Sequence, residues 1–315
     1  MAVSLATFFD PELPQQKRAS KPLRLPSRCM IAGVAVDRLT MEEATAQIVA
    51  TLRRRPAPSP FLIMGPNAQL VTLAQNNIRF SEALHASALN IPDGISVLLA
   101  SKILGKPISA RVPGGELMER LCLEAARNGL SVFFLGGLPG AADRAAVLLQ
   151  RRYPALSVAG TYCPAHGFEH DSMENAHIRQ LITEAEPDIL FVAFGAPKQE
   201  IWMHENCPSL PIGAALSVGA ALDTQAGLRK RAPRWTHNLG LEWLYRLIQE
   251  PRRLWRRYLI GNTHFLYLVL KQIFFYAPLP DREAILPHTD RKPNPFSMSP
   301  SIQPACDPVE IKSQA

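Results

Sequence analysis

No run of about 20 uninterrupted apolar residues occurs in this chain, so an ordinary membrane-spanning helix is not expected. CxxC pairs are missing as well. The five cysteines (Cys29, Cys122, Cys163, Cys207 and Cys306) are scattered and odd in number. That distribution argues against a zinc cage and a disulfide framework, and for a reducing, cytosolic compartment. His-Glu-x-x-His and Gly-x-Ser-x-Gly are both absent, which removes the usual signatures of zinc hydrolases and α/β serine hydrolases. Asp-x-Asp, a carboxylate pair that clamps a divalent metal on a diphosphate, is absent too. Glu186-x-Asp188 does not replace it: Pro187 breaks a helix there and Asp188 opens a strand, the wrong end for a ligand. No internal repeat is evident. Residues 1–28 do not read as a secretory signal, because their apolar run is short and the basic residues follow it. They read as a flexible leader.

What the chain does have is charge in one place. Between Arg229 and Arg257 nine basic residues stand against Glu242 and Glu250, which accounts for the whole formal excess of +7. Such a block points to an anionic partner: phosphate, nucleic acid or acidic lipid. Trp235, Trp243, Tyr245, Trp255 and Tyr258 are interleaved with it. The apolar stretch "FLYLVLKQIFFYAPL", 265–279, follows, broken by Lys271 and Gln272, and suits a membrane interface better than a span.

From 29 to 228 short apolar runs ("FLIM", "SVFFLGG", "DILFVAFG", "PIGAALSVGA") alternate with helix-like segments. The helical ones include "TMEEATAQIVATLRRR", "NAQLVTLAQNNIRFSEALHAS", "GGELMERLCLEAARNG" and "PGAADRAAVLLQRRYP". The alternation predicts an α/β fold: a mostly parallel sheet with helices on both faces, Rossmann-like, followed by a basic, helical C-terminal appendage. Thr40 with Glu43 forms a capping-box pattern, and Asn128-Gly129 reads as a helix stop. The expected organisation is a leader (1–28), a core (29–228), an appendage (229–278) and a disordered Pro-rich tail (279–315).

In an open parallel sheet, ligands bind beyond the carboxyl ends of the strands, so polar residues in those turns are the candidates. "IPDGISVLLA", 91–100, places Asp93 on a Pro-Asp-Gly turn, where it caps a helix or enters a cleft and takes a proton. "GPNAQL" places Asn67 after a strand, as a cap or a ligand. "ARVPGGEL" carries Arg111, either a surface residue or a ligand. "VFFLGGLPGAADRAA" is a strand, a Gly-rich turn (Gly136, Gly137, Gly140) and a helix start. It reads as a phosphate cradle or as a bare tight turn. It is not G-x-G-x-x-G, and no acid ends the next strand, "LSVAG", to hold a ribose. "FGAPKQEIW" offers Gln199 to a sugar or base, or is a solvated first turn; "GAALDTQAG" offers Asp223 to a ribose or base, or to the next turn.

Taken in order, "PNAQLVTLAQ", "NIPDGISVL", "RVPGGEL", "FFLGGLPGAADRAA", "LSVAGTYCPAHGF", "PDILFVAFGAPKQEIW", "GAALSVGAALDTQAGLRKRAPRW" and "GLEWLYRLIQEPRRLWRRYLIGN" resemble the WecG/TagA/CpsF glycosyltransferases, family 26. The resemblance covers roughly 31–265. It implies an inverting, metal-independent transferase with no cofactor. Such an enzyme moves a hexose or N-acetylhexosamine from a UDP-sugar to a polyprenyl-diphosphate-linked saccharide in bacterial surface-polysaccharide or exopolysaccharide assembly. The family's N-acetylmannosaminyl transfer, in teichoic acid or common-antigen assembly, is the alternative. On this resemblance Asp93 matches the general base. Asn67, Arg111, Gln199 and Asp223 match donor-pocket positions, with Gly136 and Gly137 beside them. Arg231, Arg234, Arg252, Arg253, Arg256 and Arg257 match the basic appendage that docks on an anionic membrane surface. The implied location is peripheral, on the cytoplasmic face of the inner membrane, with other polysaccharide-assembly enzymes as neighbours and no nucleic acid as partner. One departure is visible: the family often has Thr where this chain has Gly65. Two rivals from the residues alone are a nicotinamide oxidoreductase using the Gly136–Gly140 turn and an anionic-lipid or nucleic-acid binding module using the arginines.

Overall fold

A computed structural model of the chain describes residues 26–54, 59–230, 236, 242–249 and 251–275. The leader up to 25, the tail from 276, Arg231 and Arg234 lie outside the described residues.

The chain opens with a hairpin, β1 (Arg28–Ile31) antiparallel to β2 (Val34–Asp37). Its two-residue turn has Ala32 at φ 46° and Gly33 at φ 83°, the left-handed pair that a tight hairpin requires. The hairpin was not anticipated from sequence, although "AG" between two apolar runs signals it. Next come α1 (Met41–Leu52), β3 (Phe61–Met64), α2 (Ala68–Ala74), α3 (Ile78–Ala86), β4 (Leu89–Asn90), α4 (Ile95–Ile103) and α5 (Gly114–Asn128). Then follow β5 (Ser131–Gly136), α6 (Ala141–Arg152), β6 (Ser157–Tyr162), α7 (Ser172–Ala185), β7 (Ile189–Ala193), α8 (Lys198–Asn206), β8 (Ala214–Ser217) and α9 (Ala221–Gln225). Beyond the core run α10 (Glu242–Gln249) and α11 (Pro251–Phe275).

The main sheet has six strands in the order β4-β3-β8-β7-β5-β6, and its pairings are parallel. The expected α/β architecture is therefore present. Alternation along each strand divides the core. Leu62, Met64, Phe133, Leu135, Leu190 and Val192 face one side, against α2, α3, α7 and α8. Ile63, Val132, Phe134, Ile189 and Phe191 face the other, against α1, α5, α6 and α9. Both faces being covered is why these strands read as continuous apolar runs.

The helix signals are realised locally. Thr40 and Glu43 form the reciprocal capping box, and Gly129 closes α5 in the left-handed region at φ 65°. One helix-like segment is broken: 67–87 is two helices, because Asn77 turns its side chain to the Phe80 N–H and starts α3 afresh.

α11 packs on α2 through a stripe that includes the buried Phe265 and Val269. Gln272 fastens it to the hairpin: its Oε1 accepts the Ala32 N–H at 2.7 Å and its Nε2 donates to the Met30 carbonyl at 2.9 Å. The opposite side of α11 exposes Ile260, Tyr267, Leu270 and Phe274. Among the described residues no helix is long and apolar enough to cross a membrane.

Candidate active site

The turns after β3, β4, β5, β7 and β8 all leave the carboxyl edge of the sheet, and the candidates lie in or beside them. Asp93 is half-buried, between β4 and α4. It does not cap its own helix, since the N-cap of α4 is Gly94, without a side-chain bond. Its Oδ1 instead accepts the Gly114 N–H at 3.3 Å, so the carboxylate sits at the positive end of α5. Asp37 anchors this turn from below. It is fully buried, takes the Asn90 N–H at 2.6 Å and pairs with Arg28 at 2.8 Å. Burial raises its carboxyl above the usual range, and Arg28 opposes the shift. Nothing in the local sequence pointed to Asp37.

The neighbouring turns close tightly on Asp93. A Cβ at Gly65 would stand 3.3 Å from Asp93 Cβ, and one at Gly94 would stand 3.1 Å from Asn67 Cβ. Asn67 does cap its helix: its Oδ1 accepts from Gln69 and Leu70 N–H at 3.1 and 3.2 Å. Its position beside Gly94 also puts it against the Asp93 turn. Arg111 is half-buried in the segment that crosses this turn, where the Val112 N–H donates to Pro92 O at 2.8 Å. The start of α5 joins this group to β8: a Cβ at Gly114 would lie 3.4 Å from Ser217 O, and one at Gly115 would lie 2.9 Å from Ala221 Cβ.

Gln199 is buried, not part of a solvated turn. Its Oε1 accepts two backbone N–H groups, from Gly195 at 3.2 Å and Gly219 at 3.1 Å. It thus braces the turn after β7 to the turn after β8. Its Nε2 donates to Glu200 Oε1 at 2.7 Å. Glu200 was passed over in the sequence, where "KQE" reads as a charged first turn. It is fully buried, Oε2 has no hydrogen-bond partner, and burial pushes its carboxyl up to about 7 against weaker opposition from Gln199 and Ser217.

Asp223 is buried as well, on α9. Oδ1 accepts the Leu138 N–H at 2.8 Å and Oδ2 meets Arg229 Nε at 3.1 Å. Arg229, first of the basic block, is thus half-buried and tied to the core through Asp223. The Gly-rich turn departs from the phosphate-cradle reading. Gly137 N–H donates to Ala193 O, Leu138 N–H to Asp223, and Ala141 N–H to Leu138 O, so these amides are already engaged. Asp223 and Asp143 also help burial raise the Cys163 thiol beside this turn. What Gly136 supplies is close approach. Its φ is 95°, and a Cβ would lie 2.8 Å from Phe194 Cδ1.

Arg252 is exposed near the start of α11. Arg253, Arg256 and Arg257 lie on the same helix, with side chains outside the described residues. Among the described residues no cluster of three or more His, Cys, Asp or Glu could hold a metal ion.

A parallel sheet covered on both faces, with polar turns gathered and cross-braced at its carboxyl edge, defines an α/β enzyme of the strand-end type. Residues 29–278 match the model of the glycosyl transferase WecG/TagA/CpsF family, and the chain belongs to that family. It is a glycosyltransferase, which sets aside the oxidoreductase and binding-module readings. It is similar to a Bacillus spizizenii protein named N-acetylglucosaminyldiphosphoundecaprenol N-acetyl-β-D-mannosaminyltransferase, 32% identical over 66% of this chain and 78% of that one. A Staphylococcus aureus (strain MW2) protein of the same name is 32% identical over 76% of this chain and 91% of its own length.

Proposed function

We propose that the protein transfers a sugar from a UDP-sugar to a polyprenyl-diphosphate-linked saccharide with inversion, in bacterial surface-polysaccharide assembly. The observation that carries this is the Asp93 carboxylate, held on a stiff turn between Asn67 and the start of α5 in a chain of this family. Inversion needs one base on the acceptor side. Asp93 removes the acceptor hydroxyl proton while the hydroxyl oxygen attacks the sugar carbon opposite the departing UDP. The Gly114 N–H helps fix the orientation of the carboxylate. Asn67, Arg111, Gln199 and Asp223 belong to the donor side, bordered by Gly136 and Gly137. Arginines of the segment 229–278 neutralise diphosphate in place of a metal and hold the protein on an anionic membrane surface. Residues 29–228 are then the catalytic core.

N-acetylmannosamine on an N-acetylglucosaminyl diphospholipid is the first pair to test, because it is the pair in the names of both relatives. A hexose donor is the second reading, favoured by the bare Gly65 against Asp93, where no side chain reaches the sugar. A panel of UDP-sugars with that acceptor, followed by product mass and anomeric configuration, tests both. Release of UDP with no glycosylated lipid from any donor would refute the acceptor assignment.

A further inference from the structure

Gln199 can hold the turns after β7 and β8 together in only one amide orientation. Two backbone N–H groups converge on one end of the amide, so that end is oxygen and the NH₂ faces Glu200. Glu200 must therefore present an acceptor to Gln199 while buried entirely, with its second oxygen lacking a regular partner. A carboxylate there is a charge buried entirely, with no cation beside it among the described residues and one oxygen that makes no regular hydrogen bond, a costly arrangement. A neutral acid resolves it: its carbonyl oxygen accepts from Gln199, and its O–H turns toward the Ser217 hydroxyl, which stands against the carboxyl at the end of β8.

We propose that Glu200 is a positioning residue of the site: as the neutral acid it holds the Gln199 amide in place, and through it the turns that follow β7 and β8.

The surroundings agree. β3, β7 and β8 bring no titratable side chain to α8. α3 carries Arg79, Glu82 and His85, of which Arg79 pairs with Glu205 at the exposed side of α8. The turn after α8 carries the buried Cys207, and α8 itself carries Lys198, paired with Glu169, and His204. None of these acts on the Glu200 carboxyl, which feels burial, Gln199, its own backbone N–H and Ser217. Ionisation near neutral pH therefore reports on this carboxyl alone: the charge strengthens the Gln199 contact itself, but a fully buried carboxylate with no counter-cation among the described residues draws water into the packing around it, and that opens the turns the brace holds.

The effect on catalysis rests on the reading of Gln199 as part of the donor side. The experiment separates the two claims. Amide-exchange protection of Gly195 and Gly219, corrected for intrinsic base catalysis, is measured in wild type, Glu200→Gln and Glu200→Ala from about pH 6 to about pH 9, with calorimetric UDP affinity in parallel. Glu200→Gln keeps the acceptor and a donor but cannot ionise. Wild type should lose protection of both amides above neutral pH, with UDP affinity falling by up to about tenfold per pH unit. Glu200→Gln should hold both quantities level, and Glu200→Ala should lack protection throughout. Superimposable pH trends in wild type and Glu200→Gln overturn the proposal, and that comparison decides it even if Glu200→Ala does not fold. A wild type that binds no UDP at any pH refutes the donor reading, while the exchange data still decide the role of Glu200.

Discussion

Replacing Glu200 by Gln should make the protein more stable at alkaline pH than at acidic pH relative to wild type, by an amount the site fixes. The carboxyl has its ordinary value of 4.5 when exposed and about 7 in the fold. The native state therefore binds the proton more tightly than the unfolded state. The contribution is fully present below about pH 4.5 and is lost as pH rises through about 7. The shift of roughly 2.5 units corresponds to about 3 kcal/mol at about 1.4 kcal/mol per unit. That is a large share of the 5–15 kcal/mol typical of a domain. Gln has the same shape and no charge, so its contribution is level across the range. Asp37, also buried and raised, tilts the absolute curves in the same sense but is common to both proteins and cancels in the difference. Urea unfolding at about pH 5 and about pH 8 measures this: the stability difference between variant and wild type should grow by about 2.5 kcal/mol in favour of the variant, because part of the contribution is already lost by pH 5. A difference that stays constant within about 0.5 kcal/mol would show that Glu200 is not held as the acid, and the reasoning from burial would fail.

Asp93→Asn keeps the shape of the turn and the bond from Gly114 but cannot take a proton; transfer should fall by at least about 10²-fold with an unchanged melting curve, and near-normal turnover would remove Asp93 as the base. Transfer should survive EDTA, because the chain lacks an Asp-x-Asp clamp and carries arginines instead; loss with EDTA that magnesium or manganese restores would contradict this. Gly136→Ala, which forces a Cβ to 2.8 Å from Phe194 at a φ of 95°, should cost about 2–4 kcal/mol in urea unfolding, and a neutral result would mean that the turn can relax. The full chain should float with anionic but not neutral vesicles, at about 1 kcal/mol for each basic residue of the Arg252–Arg257 group, and high salt should release it; salt-independent flotation would point to the apolar side of α11 instead.

The sequence by itself determined the architecture and the places where function could sit. Strand runs such as "DILFVAFG" are apolar throughout because β7 is buried on both faces, and the Thr40 capping box and the Gly129 stop act within a single turn of helix. The order of motifs along the chain carried the family. All these signals are short-range or cumulative, so they survive without knowledge of the fold. The destinations of the polar side chains are a different matter, because they depend on which strands become neighbours. Asp93 reaches Gly114, 21 residues on, at the start of α5. Asp223 reaches Leu138 across 85 residues because α9 and the turn after β5 meet at the sheet edge. Gln199 is a brace because β7 and β8 are adjacent, and Glu200 is buried because that adjacency closes over it. The stretch after 264 was legible as apolar and broken by Lys271 and Gln272, but only the structure showed Phe265 and Val269 turned onto α2 and the other side left open. Periodicity tells that a residue is buried; only the strand order, set by packing between distant segments, tells against what.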